Sequence, residues 1–563
     1  MLTTRLTAWI GLAVILCLMF QETKARVFLA NGQTQRDYMM DMILEKHYGI
    51  PRGAADDETV CKDDKTKKIT VAWFTQHLDH FNSSDTRTWG QHYQVNEKFF
   101  DSTADSEVIF LLIGGEGAMS SNWVCFENYT YMKLAADKKA LVIQLEHRFF
   151  GSNTGLGELS SDNLKYLNTK QALADLNEFV KGYNVQRKFK APRWVFFGGS
   201  YPGTMAALFK REYPNSIQGA ISSSSVFGPK VDLYEYALKM EQVLIETDNE
   251  LQTNMLSETG RDNVRRDLGI DKSIKISNID DILTVQFRIF DAFQGMFQYS
   301  YDGRSDSNHV GHPLTVTNLC QIMTKVDKKK QSATRLAEVY QVANSANAPI
   351  DPSYQNLIKP WQLQNNTDKD TRGWLWLQCG QFGYLQSTSN LGVFGNAVPV
   401  TFLTKMCTDL FQIDITTLYA NVRDALAYFK QPWEFNAVGN VAFPIGGYDP
   451  WSMLATNISD ISRRLVSHVT PGTAHCSDMY PSYPNEPAGL KEVRQFVIDE
   501  VTFYLSQPSV WTNNGNTGAT QAPGTGATKA STQPPTTSFV PSQTICHALL
   551  FAFSFALTYL LKN

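Results

Sequence analysis

The spacing of apolar positions changes character twice along the chain. From Ile69 onward the sequence is rich in aromatic and β-forming residues. Nearly unbroken apolar runs at Val108–Ile113, Ala140–Leu145 and Trp194–Phe197 then end in glycine or turn chemistry. Runs this short read as strands buried on both faces, which is the habit of a parallel sheet. Helical periodicity lies between and after them, over Thr169–Tyr183 and Thr204–Arg211. Strands alternating with helices predict an α/β sheet. From Phe227 to Pro432 the strand signal fades and polar helical patterns take over, at Asp232–Glu250, Ile279–Phe297 and Lys330–Ala343. Strand patterns return at Val441–Ile445 and Leu465–Val469, and a last helix fits Pro487–Leu505. The pattern predicts an α/β core formed by 69–226 and 433–506, interrupted by one helical insertion over 227–432.

Both ends of the chain differ from this core. Arg5 precedes an apolar stretch from Leu6 to Phe20 broken only by Thr7, and Thr23-Lys24-Ala25 follows. This reads as a secretory signal over 1–25; the rival, a membrane anchor, needs a longer stretch. The segment up to Lys68 is polar and reads as irregular. Residues 512–544 are mostly Thr, Gly, Pro and Ser with a single charge at Lys529, too polar to bury a core, so a disordered stalk is expected. An apolar tail, Ala548–Leu561, lies within the final segment 545–563. A stalk followed by such a tail fits a GPI-attachment signal with its site near Ala530 and Ser531. A short membrane span and a tail without function are the other readings.

Composition narrows the classes. Of 563 residues 43% are hydrophobic and 19% charged, with a net charge of -4 and no Lys/Arg stripe, so nucleic acid is excluded as a partner. Of the 8 cysteines, Cys17 leaves with the signal and Cys546 lies in the tail. Cys61, Cys125, Cys320, Cys379, Cys407 and Cys476 allow up to three disulfides in about 15 pairings. No Cys-x-x-Cys or His-x-x-x-His cluster is present, so neither a metal nor another cofactor is predicted. Asn82, Asn128, Asn365 and Asn457 carry glycosylation sequons, in keeping with a secretory route. Oligomeric state is not legible, and a homodimer is compatible with the sequence.

The chemistry centres on Trp194-Val195-Phe196-Phe197-Gly198-Gly199-Ser200-Tyr201-Pro202-Gly203. A strand pattern enters this segment and a helical one leaves it, the setting of a nucleophile elbow. Pro202 stands where the strict Gly-x-Ser-x-Gly pattern has its last glycine, and proline suits a first helical turn. A serine hydroxyl needs a base held by an acid, and in this fold the chain order is serine, acid, histidine. His475 follows a predicted strand in a Pro-Gly-Thr-Ala loop, whereas His468 lies inside the strand and His547 in the tail. Asp449 ends the preceding strand. Asp460 is read in a helix, and Asp478 is too near His475 in sequence to come from that strand. The oxyanion donors are then the N–H groups of Tyr201 and of a residue near Gly115, in the Gly114-Gly115-Glu116-Gly117 loop.

These residues, with Phe74-Thr75-Gln76-His77-Leu78-Asp79-His80-Phe81, Glu146-His147-Arg148-Phe149-Phe150-Gly151, Asp449-Pro450-Trp451 and Ala474-His475-Cys476-Ser477-Asp478-Met479, make the chain resemble one serine exopeptidase family. It includes lysosomal Pro-Xaa carboxypeptidase, a dipeptidyl peptidase cleaving after proline and thymus-specific serine protease. The resemblance spans Val71–Leu505. It implies an α/β-hydrolase fold with a large helical cap, the triad Ser200, Asp449 and His475, and a Cys379–Cys407 pair in the cap. Gln381 stands where the family often has glutamate, which puts charge-based recognition there in doubt. Gly-Gly-Glu-Gly leans toward the thymus-specific branch. Trp374, Trp376, Trp433 and Trp451 are candidates for a flat proline pocket, with core packing as the other reading. The expected function is a serine-type exopeptidase acting on peptides near proline. A lipase- or esterase-like hydrolase and a catalytically silent surface binding protein are the alternatives. Extracellular, cell-surface and lysosomal locations all fit.

Overall fold

The computed structural model describes residues 69–104, 106–241, 276, 278–300, 315–324, 332–343, 350–363, 368–392, 394–430, 439–484 and 486–511. The expected signal, stalk and tail lie outside them.

Nine strands form one sheet: β1 (Ile69–His77), β2 (Thr88–Asn96), β3 (Val108–Ile113), β4 (Leu141–Leu145), β5 (Arg193–Gly199), β6 (Gly219–Ser223), β9 (Val441–Gly446), β10 (Ser459–Asp460) and β11 (Leu465–Thr470). Their order is β1-β2-β4-β3-β5-β6-β9-β11-β10. The six from β4 to β11 run parallel, while β1, β2 and β10 pair antiparallel at the two margins. This is an α/β-hydrolase fold. Asp460 lies in the short edge strand β10, not in the helix expected for it, and its carboxylate accepts from the neighbouring Ser462 and Arg463.

The apolar runs are continuous because helices cover both faces. On one face Ile109, Leu111, Ile143 and Phe196 pack with helices α2 (Thr169–Arg187) and α3 (Tyr201–Glu212). On the other, Phe110, Leu112, Val195 and Phe197 pack with α1 (Thr130–Lys138) and α9 (Ala488–Ser506). Each such side chain contributes about 1.5–3 kcal/mol on burial. The first face also holds a polar knot. Arg148, fully buried just after β4, donates two bonds to Asp175 (2.7 and 2.8 Å) and others to the carbonyls of Leu78 and Tyr166. His80 contacts the same carboxylate at 2.6 Å. The His77-Leu78-Asp79-His80 and Glu146-His147-Arg148 motifs therefore meet as one fastening between the sheet margin and α2.

Between β6 and β9 the chain is mainly helical: α4 (Tyr234–Glu241), α5 (Ile279–Gln298), α6 (Lys369–Leu377), α7 (Val400–Phe411) and α8 (Ile415–Phe429), among others. Asn278 caps α5 and Asp368 caps α6 through their side chains, each satisfying a first-turn N–H. The fading strand signal hides a small parallel pair, β7 (Lys230–Asp232) with β8 (Gly383–Leu385). Cys379 and Cys407 are disulfide-bonded across this region. Cys125 is also disulfide-bonded, but Cys476 is a free, buried thiol, so the expectation of up to three disulfides falls by one among the six cysteines.

Candidate active site

Three turns at one edge of the sheet converge, those following β5, β9 and β11. Parallel strands deliver their C-terminal ends to the same edge, which is why residues distant in sequence meet there. Ser200 stands between β5 and α3 at φ 61° and ψ -131°, a conformation that a residue with a Cβ holds only under constraint. Its N–H donates to the Ser223 carbonyl (2.9 Å), and its own carbonyl accepts from Thr204 N–H (3.0 Å). Tight approach explains the glycine pattern. A Cβ on Gly203 would lie 2.7 Å from the Ser223 oxygen, so the close-packing glycine is displaced one residue beyond the strict motif. Pro202 instead packs on the Gly114–Gly117 loop, its ring 2.9 Å from where a Cβ on Gly115 would sit.

Asp449 follows β9 and is buried. One carboxylate oxygen accepts from Trp451 N–H (2.9 Å) and the other faces His475 Nδ1 at 2.7 Å. With Nδ1 donating, Nε2 is the ring's acceptor, and it is buried without a hydrogen-bond partner among the described residues. No hydrogen bond joins it to the Ser200 hydroxyl; such catalytic contacts are often long before substrate binds. Burial pulls the imidazole pKa down, but the Asp449 carboxylate and the neighbouring Cys476 together outweigh it and hold the value above the ordinary one. His475 N–H donates to the Gln298 carbonyl of α5 (2.8 Å).

The rival residues lie elsewhere. Asp478 accepts from the Ser223 hydroxyl, the residue whose carbonyl anchors Ser200 N–H, and burial raises its carboxyl to about 6. His468 stays in β11 and stacks on Phe496. The run Ser222–Ser225 ties the turns together: Ser222 Oγ donates to the Gly203 carbonyl (2.7 Å), and Ser224 Oγ accepts from Cys476 N–H (2.9 Å).

The Gly114–Met119 loop is held from two sides. Glu146 accepts from Met119 N–H (3.1 Å), and Asp370 of α6 accepts from Ala118 N–H (3.2 Å). Gly114 N–H is used by the Leu145 carbonyl (2.8 Å), whereas the N–H groups of Gly115 and Tyr201 have no protein acceptor among the described residues. Beside them lies a cleft of about 540 Å³ lined by Gly115, Glu116, Gly199, Cys476, Met479 and Tyr480, among others. Glu116 is buried, and one of its oxygens has no partner among the described residues. Burial raises its carboxyl to about 8. Burial also lowers His147 to about 4; the neutral ring lies 3.2 Å from the Tyr201 hydroxyl.

Gln381 accepts from the N–H and hydroxyl of Thr169 (3.1 and 2.8 Å), so it caps the start of α2 as a neutral acceptor. The tryptophans do not gather into an open slot. Trp374 and Trp451 belong to a buried aromatic run, Trp374–Phe382–Tyr384–Trp451, with centroids 5.6–6.0 Å apart. Trp376 packs instead on Phe411, and Trp433 lies outside the described residues. Asn82, Asn128 and Asn457 are exposed, and Asn365 lies outside the described residues. Sequence reasoning overlooked Gln298, Asp370 and the Ser222–Ser225 run as partners of the site. No motif or periodicity marks them, because their role exists only in the packed state.

The serine carboxypeptidase S28 family matches residues 76–497. A Caenorhabditis elegans protein described as a serine protease is 35% identical over 507 residues, covering 84% of this chain and 89% of its own. The mouse thymus-specific serine protease is 26% identical, covering 77% and 87%. The human lysosomal Pro-X carboxypeptidase is 30% identical over a shorter stretch, 32% of this chain and 36% of its own.

Proposed function

Because the chain belongs to the serine carboxypeptidase S28 family and is a serine-type peptidase, we propose that Ser200, Asp449 and His475 are its nucleophile, acid and base, and that it is an exopeptidase cleaving peptides near proline. The observation that carries the reading is the buried His475 ring. It is fixed to Asp449 at Nδ1, which leaves Nε2 a buried acceptor without a partner among the described residues, on a loop tied through Ser224 to the same serine run whose Ser223 carbonyl holds the constrained Ser200. His475 takes the Ser200 proton as the hydroxyl attacks the peptide carbonyl. The N–H groups of Tyr201 and Gly115 receive the oxyanion, at the N-terminus of α3 where the helix dipole favours negative charge. Asp449 stabilises the imidazolium, which then protonates the leaving amine. Water, deprotonated by the same base, releases the acyl group.

The proline preference rests on likeness to relatives, the Pro-X carboxypeptidase among them. Residues 227–432 act as a cap that narrows the cleft and favours short or terminal peptide segments. A secretory signal, a GPI anchor and glycans at Asn82, Asn128, Asn365 and Asn457 complete the reading; the disulfide between Cys379 and Cys407 supports an oxidising compartment. Among the described residues no helix is long and apolar enough to cross a membrane. A fluorophosphonate probe tests the triad: wild-type protein labels, and Ser200→Ala does not. Equal labelling of the two removes Ser200 from the mechanism. Xaa-Pro-reporter substrates against peptides ending in Pro-Xaa decide which end of the peptide is read, and indifference to proline refutes the preference.

A further inference from the structure

Gln298 is the last residue of α5, and its side chain is completely buried. Its backbone carbonyl is one of the helix-end acceptors that has no partner within the helix, and it takes the N–H of His475 at 2.8 Å. Its side-chain oxygen accepts from the Tyr236 hydroxyl (2.7 Å) and from Trp451 Nε1 (3.1 Å), filling both lone pairs. Its amide nitrogen donates to the Tyr299 hydroxyl (2.7 Å). Trp451 in turn donates its backbone N–H to Asp449. One glutamine of the inserted region thus grips the turn that carries Asp449 and the loop that carries His475. The rings of Trp451 and Tyr299 lie 6.4 and 6.3 Å from the imidazole centroid.

We infer that Gln298 is a positioning residue through which the inserted helices set the geometry of the Asp449–His475 pair. The inference rests on the reading of Ser200, Asp449 and His475 as the reacting set. Its physical basis is that neither loop is held in place by core strands alone. Core bonds do reach both loops, from Gly447 N–H to the carbonyl of Thr470 at the end of β11, from Tyr448 N–H to the Thr473 carbonyl and from Cys476 N–H to Ser224 Oγ, but none of them takes up His475 N–H or the Trp451 indole. The bonds that fix His475 N–H and the Trp451 indole come from α5. An amide held at three points by well-placed partners in a dry interior resists rotation. Displacing a base by about 1 Å costs on the order of 100-fold in rate. The inserted region is then part of the catalytic apparatus, and the base is aligned only while α5 is docked.

The test compares Gln298→Leu, Trp451→Phe and the double variant with wild type, in the full chain. Fluorophosphonate labelling rate, kcat, KM and the pH profile of kcat/KM are measured, with thermal unfolding as the control. Gln298→Leu is expected to lower kcat and the labelling rate together by 10- to 100-fold, with KM within about two-fold. Its acid limb moves to lower pH, because a loosened Asp449 no longer holds the imidazole pKa up. Trp451→Phe removes the donor of the same link, so the double variant is no slower than the slower single one. Should Gln298→Leu fold poorly, Trp451→Phe alone gives the same loss and the same limb shift. A wild-type labelling rate and acid limb in folded Gln298→Leu, or losses that multiply in the double variant, overturn the inference. Ser200→Ala is labelled alongside: if it still reacts, the triad reading fails; if it is silent and the Gln298 variants match wild type, only this inference fails.

Discussion

Replacing Glu116 with glutamine removes an ionisable group from a place that water does not reach. The wild-type carboxyl stands at about 8 when folded, raised by burial from an ordinary 4.5. The folded state therefore binds a proton more tightly than the unfolded chain. The stability contributed by that proton is complete below pH 4.5 and is lost as pH rises toward 8. At about 1.36 kcal/mol per pH unit the whole window amounts to roughly 4–5 kcal/mol, of which about 1 is already gone at pH 5. Glutamine does not titrate. The stability gap between Glu116→Gln and wild type should therefore widen by roughly 3–4 kcal/mol in favour of the variant between pH 5 and pH 8. Urea unfolding of both proteins at the two pH values measures it, and a pH-independent offset from the amide cancels in the difference. Activity should follow the same group. Glu116 is next to Gly115, a proposed oxyanion donor, and a buried anion there would oppose the developing charge, so wild-type kcat/KM is expected to fall as pH rises through about 8 and the variant to lack that limb. Parallel stability profiles for the two proteins would refute the argument, since they would mean that Glu116 is solvated or paired.

Asp449→Asn should leave the fold intact and lower kcat by about 10,000-fold, since the amide donates where His475 Nδ1 must donate; full activity would remove Asp449 from the pair. Arg148→Met strips the buried Asp175 carboxylate of its two guanidinium bonds and leaves it His80 alone among the partners named above, and chemical denaturation should show a loss of about 3–5 kcal/mol. Asp175→Asn together with Arg148→Met should recover part of that loss, because no charge is then stranded. Cys379→Ser opens a loop with a sequence separation of 28. The loop-entropy relation gives a cost of about 3.5 kcal/mol, read as an unfolding midpoint lowered relative to wild type under non-reducing conditions.

Local patterns in the sequence were enough to determine much of this protein. Nearly unbroken apolar runs announce β3, β4 and β5 because a strand covered on both faces carries few polar residues, and the one in β4, Gln144, is buried with a bond to Gln94. The Gly-Gly-Ser-Tyr-Pro-Gly segment announces the elbow, because its backbone demands are met by residues within a few positions of each other. Chain order narrows the histidines to His475, which follows a strand. The antiparallel margins were less legible: β1 and β2 alternate weakly, and β10 is only two residues long. Asp449, Asp460 and Asp478 are all near enough in sequence to compete for His475. Only the packed chain separates them, by bringing Asp449 to 2.7 Å from Nδ1 and turning Asp478 to Ser223. The grip of Gln298 and Asp370 on the loops of the candidate site, and the joining of Arg148 to Asp175, were decided by tertiary structure alone. A hydrogen bond between residues scores to hundreds of positions apart leaves no period, turn signal or spacing in the chain. It exists only after burial has removed water as the competing partner.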